Sequence, residues 1–204
     1  LDLDKHFDLK NYCDEIGIGF MSSVFSIGDA DLLKQVVTDY VKIPSMESRN
    51  VDLINYCSQN FSKLLISTGT STWKEIKKSV TSLNHNRYSL LHCVSSYPCD
   101  FNVVNLPRIN DLKVINKSVG YSDHTQGIEA SIISLGYGVE YIEKHFTIDN
   151  DLPGRDNKFA ILPDELKTLS KYIKISNEVM TNKGYDFQEC ELDSRKIYSG
   201  RWDG

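Results

Sequence analysis

Apolar runs and amphipathic stretches alternate along the chain. Residues 16–21, 40–43, 63–66, 88–94, 112–121 and 138–146 each contain a run rich in Val, Ile, Leu, Phe and Tyr, the composition of strands, recurring about every 25 residues. Between them, residues 30–37 space their apolar side chains for one helical face, and residues 72–80 do the same behind a Ser/Thr cluster able to cap a helix. Residues 126–135 and 165–180 predict two more helices, the second opened by Pro163, Asp164 and Glu165, where proline and acids suit a helix start. The first dozen residues also read as helix, and the chain opens on Leu1, so upstream sequence is expected.

Strands and helices alternating at this interval imply βα units around a parallel sheet, because parallel neighbours need a crossover and a helix is the usual one. The fold class is α/β. A (β/α)8 TIM barrel takes about 250 residues at roughly 30 per unit. This chain shows six units, so it is either an open sheet or a barrel lacking its first two βα units. Polar clusters separate the two. Ser22-Ser23, Lys42 with Ser45 and Glu47, Ser67-Thr68-Gly69, His92 with Ser95, Ser96 and Tyr97, Ser122-Asp123-His124, and Glu143-Lys144-His145 all fall at or just past the C-terminal ends of the runs. A doubly wound sheet concentrates its ligand at one switch point, whereas a barrel gathers groups from all strand ends. The pattern favours an incomplete barrel over residues 1–182, with a tail of different character over residues 183–204.

Composition narrows the partners. With 204 residues, 40% hydrophobic and 25% charged, the chain is of ordinary globular make-up, which excludes disorder, collagen and coiled coil. Its 23 basic against 28 acidic residues give a formal charge of -5, which argues against a broad basic surface and against nucleic acid as a partner. No run approaches the roughly 18 apolar residues of a membrane span, and the first residues lack the features of a signal peptide, so no membrane partner and a cytoplasmic location are expected. Five cysteines without a C-x-x-C pair read as reduced, mostly buried thiols.

Candidate chemistry sits in the strand-end clusters. His124 and His145 close consecutive predicted strands, so in a barrel their imidazoles converge at the spacing of a divalent metal or a proton relay. Asp123 and Glu143 beside them are either partners that orient the rings or salt-bridge formers. Lys42 with Ser45, and Ser67-Thr68-Gly69, look like anion holders: an ammonium for charge, hydroxyls for direction, and a glycine letting backbone N–H groups approach a phosphate. The same Ser-Thr-Gly also suits a plain helix cap. Gly154 to Lys158 form a Pro/Gly loop that presents Asp156 to a polyol or is simply a solvated turn. Neither common nucleotide-binding glycine fingerprint occurs.

These residues resemble a known family. Lys42 to Asn50, Leu65 to Gly69, Leu91-His92-Cys93 running to Ser96-Tyr97-Pro98, Gly120 to Thr125, Glu143 to Thr147, and Gly154-Arg155-Asp156 are similar, in that order, to the motifs of the sialic acid (nonulosonate) synthase family. The resemblance implies a (β/α)8 barrel, often followed by an antifreeze-like domain. It also implies condensation of phosphoenolpyruvate with an N-acylated hexosamine, such as N-acetylmannosamine, to a nine-carbon 2-keto sugar acid and phosphate. By the same resemblance His124 and His145 bind the divalent cofactor, manganese or magnesium. Lys42, Ser45, Ser67 and Ser122 hold phosphoenolpyruvate, and Ser23 stands where the family generally has threonine for that phosphate. Glu47, Tyr97 and Asp156 surround the amino sugar, a carboxylate such as Glu47 serves to move a proton, with the choice of carboxylate left open, and Ser95 replaces an asparagine that can contact phosphoenolpyruvate. His92 is assigned a structural role or one supporting the site residues from behind. Nothing corresponds to the family's first two strands or to its antifreeze-like domain, so a partial barrel, unstable or inactive alone, is expected. Arg201 is the candidate substitute for the arginine which that domain brings. Barrel synthases of this kind commonly form homodimers. Two other readings remain at this point: a phosphoenolpyruvate-dependent barrel synthase or aldolase acting on a sugar phosphate, and a degenerate sugar-binding barrel without turnover.

Overall fold

A computed structural model describes residues 2–200; Arg201 lies outside them. Strands β1 (Tyr40–Ile43), β2 (Lys63–Ser67), β3 (Tyr88–Cys93), β4 (Val119–Asp123) and β5 (Tyr141–Lys144) lie side by side in chain order, every pair parallel. Helices α1 (Leu3–Glu15) and α2 (Ile27–Leu33) precede the sheet. Helices α3 (Val51–Asn60), α4 (Trp73–Val80), α5 (Arg108–Ile115) and α6 (Glu129–Leu135) make the four crossovers, and α7 (Pro163–Val179) and α8 (Leu192–Tyr198) follow.

Alternation along the strands sorts the residues into two faces. Val41, Ile43, Leu64, Ile66, Tyr88, Leu90, Val119 and Tyr121 point one way and pack against Leu53, Ile54 and Cys57 of α3, Ile76 and Val80 of α4, and Ile109 and Leu112 of α5. A second cluster joins Ile142 to Ile128, Ile161 and Leu169 beneath α6 and α7. The other face carries Lys42, Ser67, Ser89, Cys93, Ser122 and Glu143, with Leu65, Leu91 and the bare Gly120 deeper down. Gly120 is required there: a Cβ would stand 2.8 Å from the Tyr141 carbonyl and 3.0 Å from Leu91 Cγ, so β4 could not lie this close to β5.

The structure corrects several expected elements. The run at residues 16–21 forms no strand. Backbone pairing with the sheet comes only afterwards, through a single bridge of Ser23 to Lys42 in which the Val24 N–H donates to the Lys42 carbonyl and the Lys42 N–H to the Ser22 carbonyl. Gly17, at φ +75°, turns the backbone directly after α1, and Ile16, Ile18 and Met21 are exposed, so this apolar run has no second strand to pair with. The run at residues 112–121 is two elements, the end of α5 and β4. Asn116 separates them, its amide donating to the His85 and Tyr88 carbonyls. Helix α3 escaped notice because its buried stripe, Leu53, Ile54 and Cys57, is short, yet Asn50 caps it through the Leu53 N–H. The tail holds α8, with no buried residue.

Candidate active site

The carboxyl ends of the strands open into a cavity of about 330 Å³. Ser23, Lys42, Ser45, Ser67, Tyr97, Ser122, His124 and His145 line it, which brings together eight of the expected residues. Pairing register explains part of the convergence: Cys93, Ser122 and Glu143 are lateral neighbours on one face across β3, β4 and β5.

Lys42 is buried, and its ammonium donates to Ser67 Oγ at 2.7 Å and stands 3.5 Å from Glu143 Oε1. The Ile43 carbonyl at 3.4 Å is its third neighbour, and the two longer contacts, to that carbonyl and to the partly exposed Glu143, are the ones an anion would replace. Ser45 Oγ accepts the Gly69 N–H at 3.1 Å, and a Cβ on Gly69 would lie 2.3 Å from Ser95 Oγ and 2.7 Å from Ser45 Oγ. Glycine is what lets these hydroxyls stand this close to the backbone. The Ser-Thr-Gly segment is therefore not the cap of α4. Thr72 caps that helix in a reciprocal box with Glu75, and Ser67 is free to face Lys42.

His124 and His145 have ring centroids 5.4 Å apart, and the Tyr97 ring lies 4.3 Å from the first and 6.2 Å from the second. His124 Nδ1 is 3.0 Å from the Val94 carbonyl. A carbonyl can only accept, so Nδ1 carries the proton and Nε2 keeps its lone pair. Burial works against a charged His124, but the Cys93 sulfur at 3.8 Å and the Val94 carbonyl outweigh it and hold the imidazole above its ordinary value. For Cys93, burial pushes the thiol up, and His124 with the Ser45 and Ser95 hydroxyls more than reverses that. Burial lowers His145, against the pull of Asp156, whose Oδ2 stands 3.7 Å from Nδ1. His145 is thus neutral at neutral pH, the form that binds metal.

The structure separates the acids named with the histidines. Asp123 borders the cavity too, but its carboxylate, fully buried, turns behind the sheet to Lys144 and the Ser131 hydroxyl. Glu143 faces the cavity, and its place there was not singled out from sequence, although its even spacing from His145 carried that signal. Cys93 also lines the cavity and was missed, hidden by the reading of the cysteines as inert. Glu47 is not part of the lining; its carboxylate accepts from Asn50 Nδ2 at 2.9 Å just past the 3-10 turn that carries Ser45. Ser95 stands behind the wall, 3.8 Å from Cys93 Sγ. Asp156 reaches the site from the loop after β5, beside His145. His92 faces the helices, buried, donating from Nε2 to the Val104 carbonyl at 2.7 Å and stacked on Tyr121, which is the structural role expected of it. Among the described residues, no group of three or more His, Cys, Asp or Glu is disposed to hold an ion. Nor is any helix there long and apolar enough to cross a membrane.

Comparison with known proteins follows the same lines. The NeuB family model matches residues 1–185. The N,N'-diacetyllegionaminic acid synthase of Campylobacter jejuni is 37% identical over 186 residues, covering 88% of this chain and 56% of that protein. The synthase of the same name from Legionella pneumophila is 35% identical, covering 97% and 58%. The chain thus spans about half the length of the curated relatives it matches. Among solved structures, the N-acetylneuraminic acid synthetase of Leptospira borgpetersenii, in complex with citrate, superposes with a TM-score of 0.89 at 28% identity, covering 97% of this chain and 72% of that one. A phospho-2-dehydro-3-deoxyheptonate aldolase from Thermotoga maritima, at 14% identity and a TM-score of 0.75, shares the fold.

Proposed function

Because the chain belongs to the NeuB family of sialic acid synthases, we propose that its five parallel strands are the larger part of a (β/α)8 barrel and that it carries the site of a nonulosonic acid synthase. The reaction joins C3 of phosphoenolpyruvate to the aldehyde carbon of an open-chain N-acylated hexosamine. Water adds at C2, and the C–O bond to phosphate breaks, giving a 2-keto sugar acid and free phosphate. The observation that carries this reading is the convergence of Lys42, Ser67, Ser122, His124 and His145 on one cavity wall at the strand ends.

Lys42 and the Ser45, Ser67 and Ser122 hydroxyls hold the phosphate and carboxylate through both steps, keeping the enol carbon within reach of the aldehyde. Ser23 adds a hydroxyl on the N-terminal side of the cavity, and Ser95, shorter than asparagine, acts through the Ser45–Gly69 corner. Tyr97 and Asp156, at the outer end of the site, contact the sugar, and Glu47 or the nearer Glu143 carries the proton. His124 and His145 fit a divalent metal, because each keeps an imidazole nitrogen for it while Val94 and Asp156 attend the other. Two nitrogen donors suit manganese better than magnesium, which prefers an all-oxygen shell. When bound, the metal supplies a Lewis acid that polarises the aldehyde oxygen.

The test is phosphate release from phosphoenolpyruvate with manganese against a panel of N-acylated hexosamines. The diacetamido-trideoxy hexoses come first, because two of the relatives are named for legionaminic acid; N-acetylmannosamine and its 6-phosphate follow. Release with one sugar, abolished in His124→Ala/His145→Ala, supports the proposal. The chain is assayed with the remaining barrel units restored, and no release with any sugar from that folded protein overturns it.

A further inference from the structure

Directly behind the two histidines lies a buried ion pair. Asp123 and Lys144 are register partners across β4 and β5; both border the cavity, but their side chains, 0% and 5% exposed, turn their charged ends from it toward Ser131 of α6 and Thr125. Lys144 Nζ stands 3.0 Å from Asp123 Oδ2 and donates to the Thr125 carbonyl at 2.5 Å. Asp123 Oδ1 accepts the Thr125 N–H at 2.8 Å and the Tyr121 hydroxyl at 3.0 Å, and Oδ2 accepts the Ser131 hydroxyl of α6 at 2.6 Å. The pair therefore grips the backbone on both sides of His124, through residues 123 and 125, and ties it to the residue just before His145.

We propose that Asp123 and Lys144 are positioning residues that fix the spacing and orientation of His124 against His145. Three observations carry this. Strand alternation puts each histidine one residue past a member of the pair and on the opposite face, so any slip between β4 and β5 moves both imidazoles at once. The pair lies at the last rung of the β4–β5 ladder; beyond it the His124 and His145 carbonyls bond to separate segments, at the Cys99 and Ile161 N–H groups, and not to each other's strand. Finally, a buried ion pair is a poor source of net stability compared with apolar residues of like volume, yet here it has every donor and acceptor matched, which suits a device that defines geometry.

The inference rests on the proposed role of the histidines, so its test has one arm that needs no metal. The double variant Asp123→Asn/Lys144→Met removes both charges at nearly constant volume and leaves no unpaired buried charge. Ser131→Ala removes one bond to Asp123 and keeps the pair, which guards against a double variant that fails to fold. In each, folding is checked by thermal melt, manganese affinity by titration calorimetry, and ring geometry by nuclear Overhauser contacts among Tyr97, His124 and His145 in metal-free protein. The expected result is a folded double variant with manganese affinity reduced about tenfold to a hundredfold and altered ring contacts, and a smaller change of the same kind in Ser131→Ala. Folded variants with unchanged ring contacts overturn the positioning role. Wild-type protein that binds no manganese, with ring contacts still lost in the variants, refutes the metal reading and leaves the positioning role standing.

Discussion

The two faces of the sheet use the same strands for opposite purposes. Toward the helices, alternate residues such as Val41, Leu64, Leu90 and Val119 are fully buried among aliphatic neighbours. Toward the barrel interior, the residues near the strand ends are Lys42, Ser67, Cys93 and Ser122, every one buried and polar or reactive. Burial alone does not distinguish them; the partners do. The helix-side residues need only volume, whereas Lys42 needs Ser67 and Glu143, and His124 needs Val94, so changes on one face should cost stability and changes on the other should cost chemistry.

The largest effect is expected on the inner face. His124→Ala/His145→Ala should lower the turnover of phosphoenolpyruvate by about a thousandfold, with a melting temperature close to that of the parent, read by phosphate release and calorimetry side by side. Next comes the outer face: Leu90→Ala, at a site 0% exposed, should cost about 3 kcal/mol of folding stability in urea denaturation while leaving the KM of the remaining folded protein unchanged. Lys42→Met should raise the KM for phosphoenolpyruvate about a hundredfold, because the anion loses its one buried ammonium and Glu143 is left without its partner. A comparable loss of stability without a KM change would place Lys42 with the core instead. Gly69→Ala should have a smaller effect, a severalfold rise in KM, since the new methyl displaces the Ser45 and Ser95 hydroxyls but touches none of the helix-side core.

The smallest effect concerns protons. His92, on the helix side, is pushed below its ordinary value of 6.5 by burial, against the Val104 hydrogen bond. The unfolded chain therefore binds the extra proton first. The contribution of His92 to stability is complete above about 6.5, and it is lost as pH falls through the lowered folded-state value. His124, on the inner face, is raised, so its contribution has the opposite slope: full below 6.5 and lost as pH rises through the folded value. Denaturation curves between pH 5 and 8 for His92→Gln and His124→Gln, metal-free, should differ from the parent with opposite trends. The same trend in both would break the distinction between the faces.

Much of this was legible in the sequence because it depends on local periodicity. A period of two in the runs around Lys42, Ser67 and Ser122 marks which residues leave the core, and the interval between runs dictates parallel strands with helical crossovers. Residues 16–21 were misread because an apolar run becomes a strand only if another strand lies beside it, and that is a property of the whole sheet. Helix α3 was passed over because its cap, Asn50, and its short buried stripe are weak signals beside a run of Val and Ile.

What the sequence determined by itself, then, was the α/β class, the clustering of polar groups at strand ends, and the family motifs that name Lys42, His124 and His145. Tertiary structure alone decided that Glu143 meets Lys42 while Asp123 pairs with Lys144, that Glu47 stands outside the lining, and that the loop after β5 folds Asp156 back to His145. The physical reason is one of range. Periodicity and capping are set by neighbours within a few positions, but which carboxylate meets which cation depends on the register between strands some twenty residues apart, and register is settled only when the sheet and its helices pack.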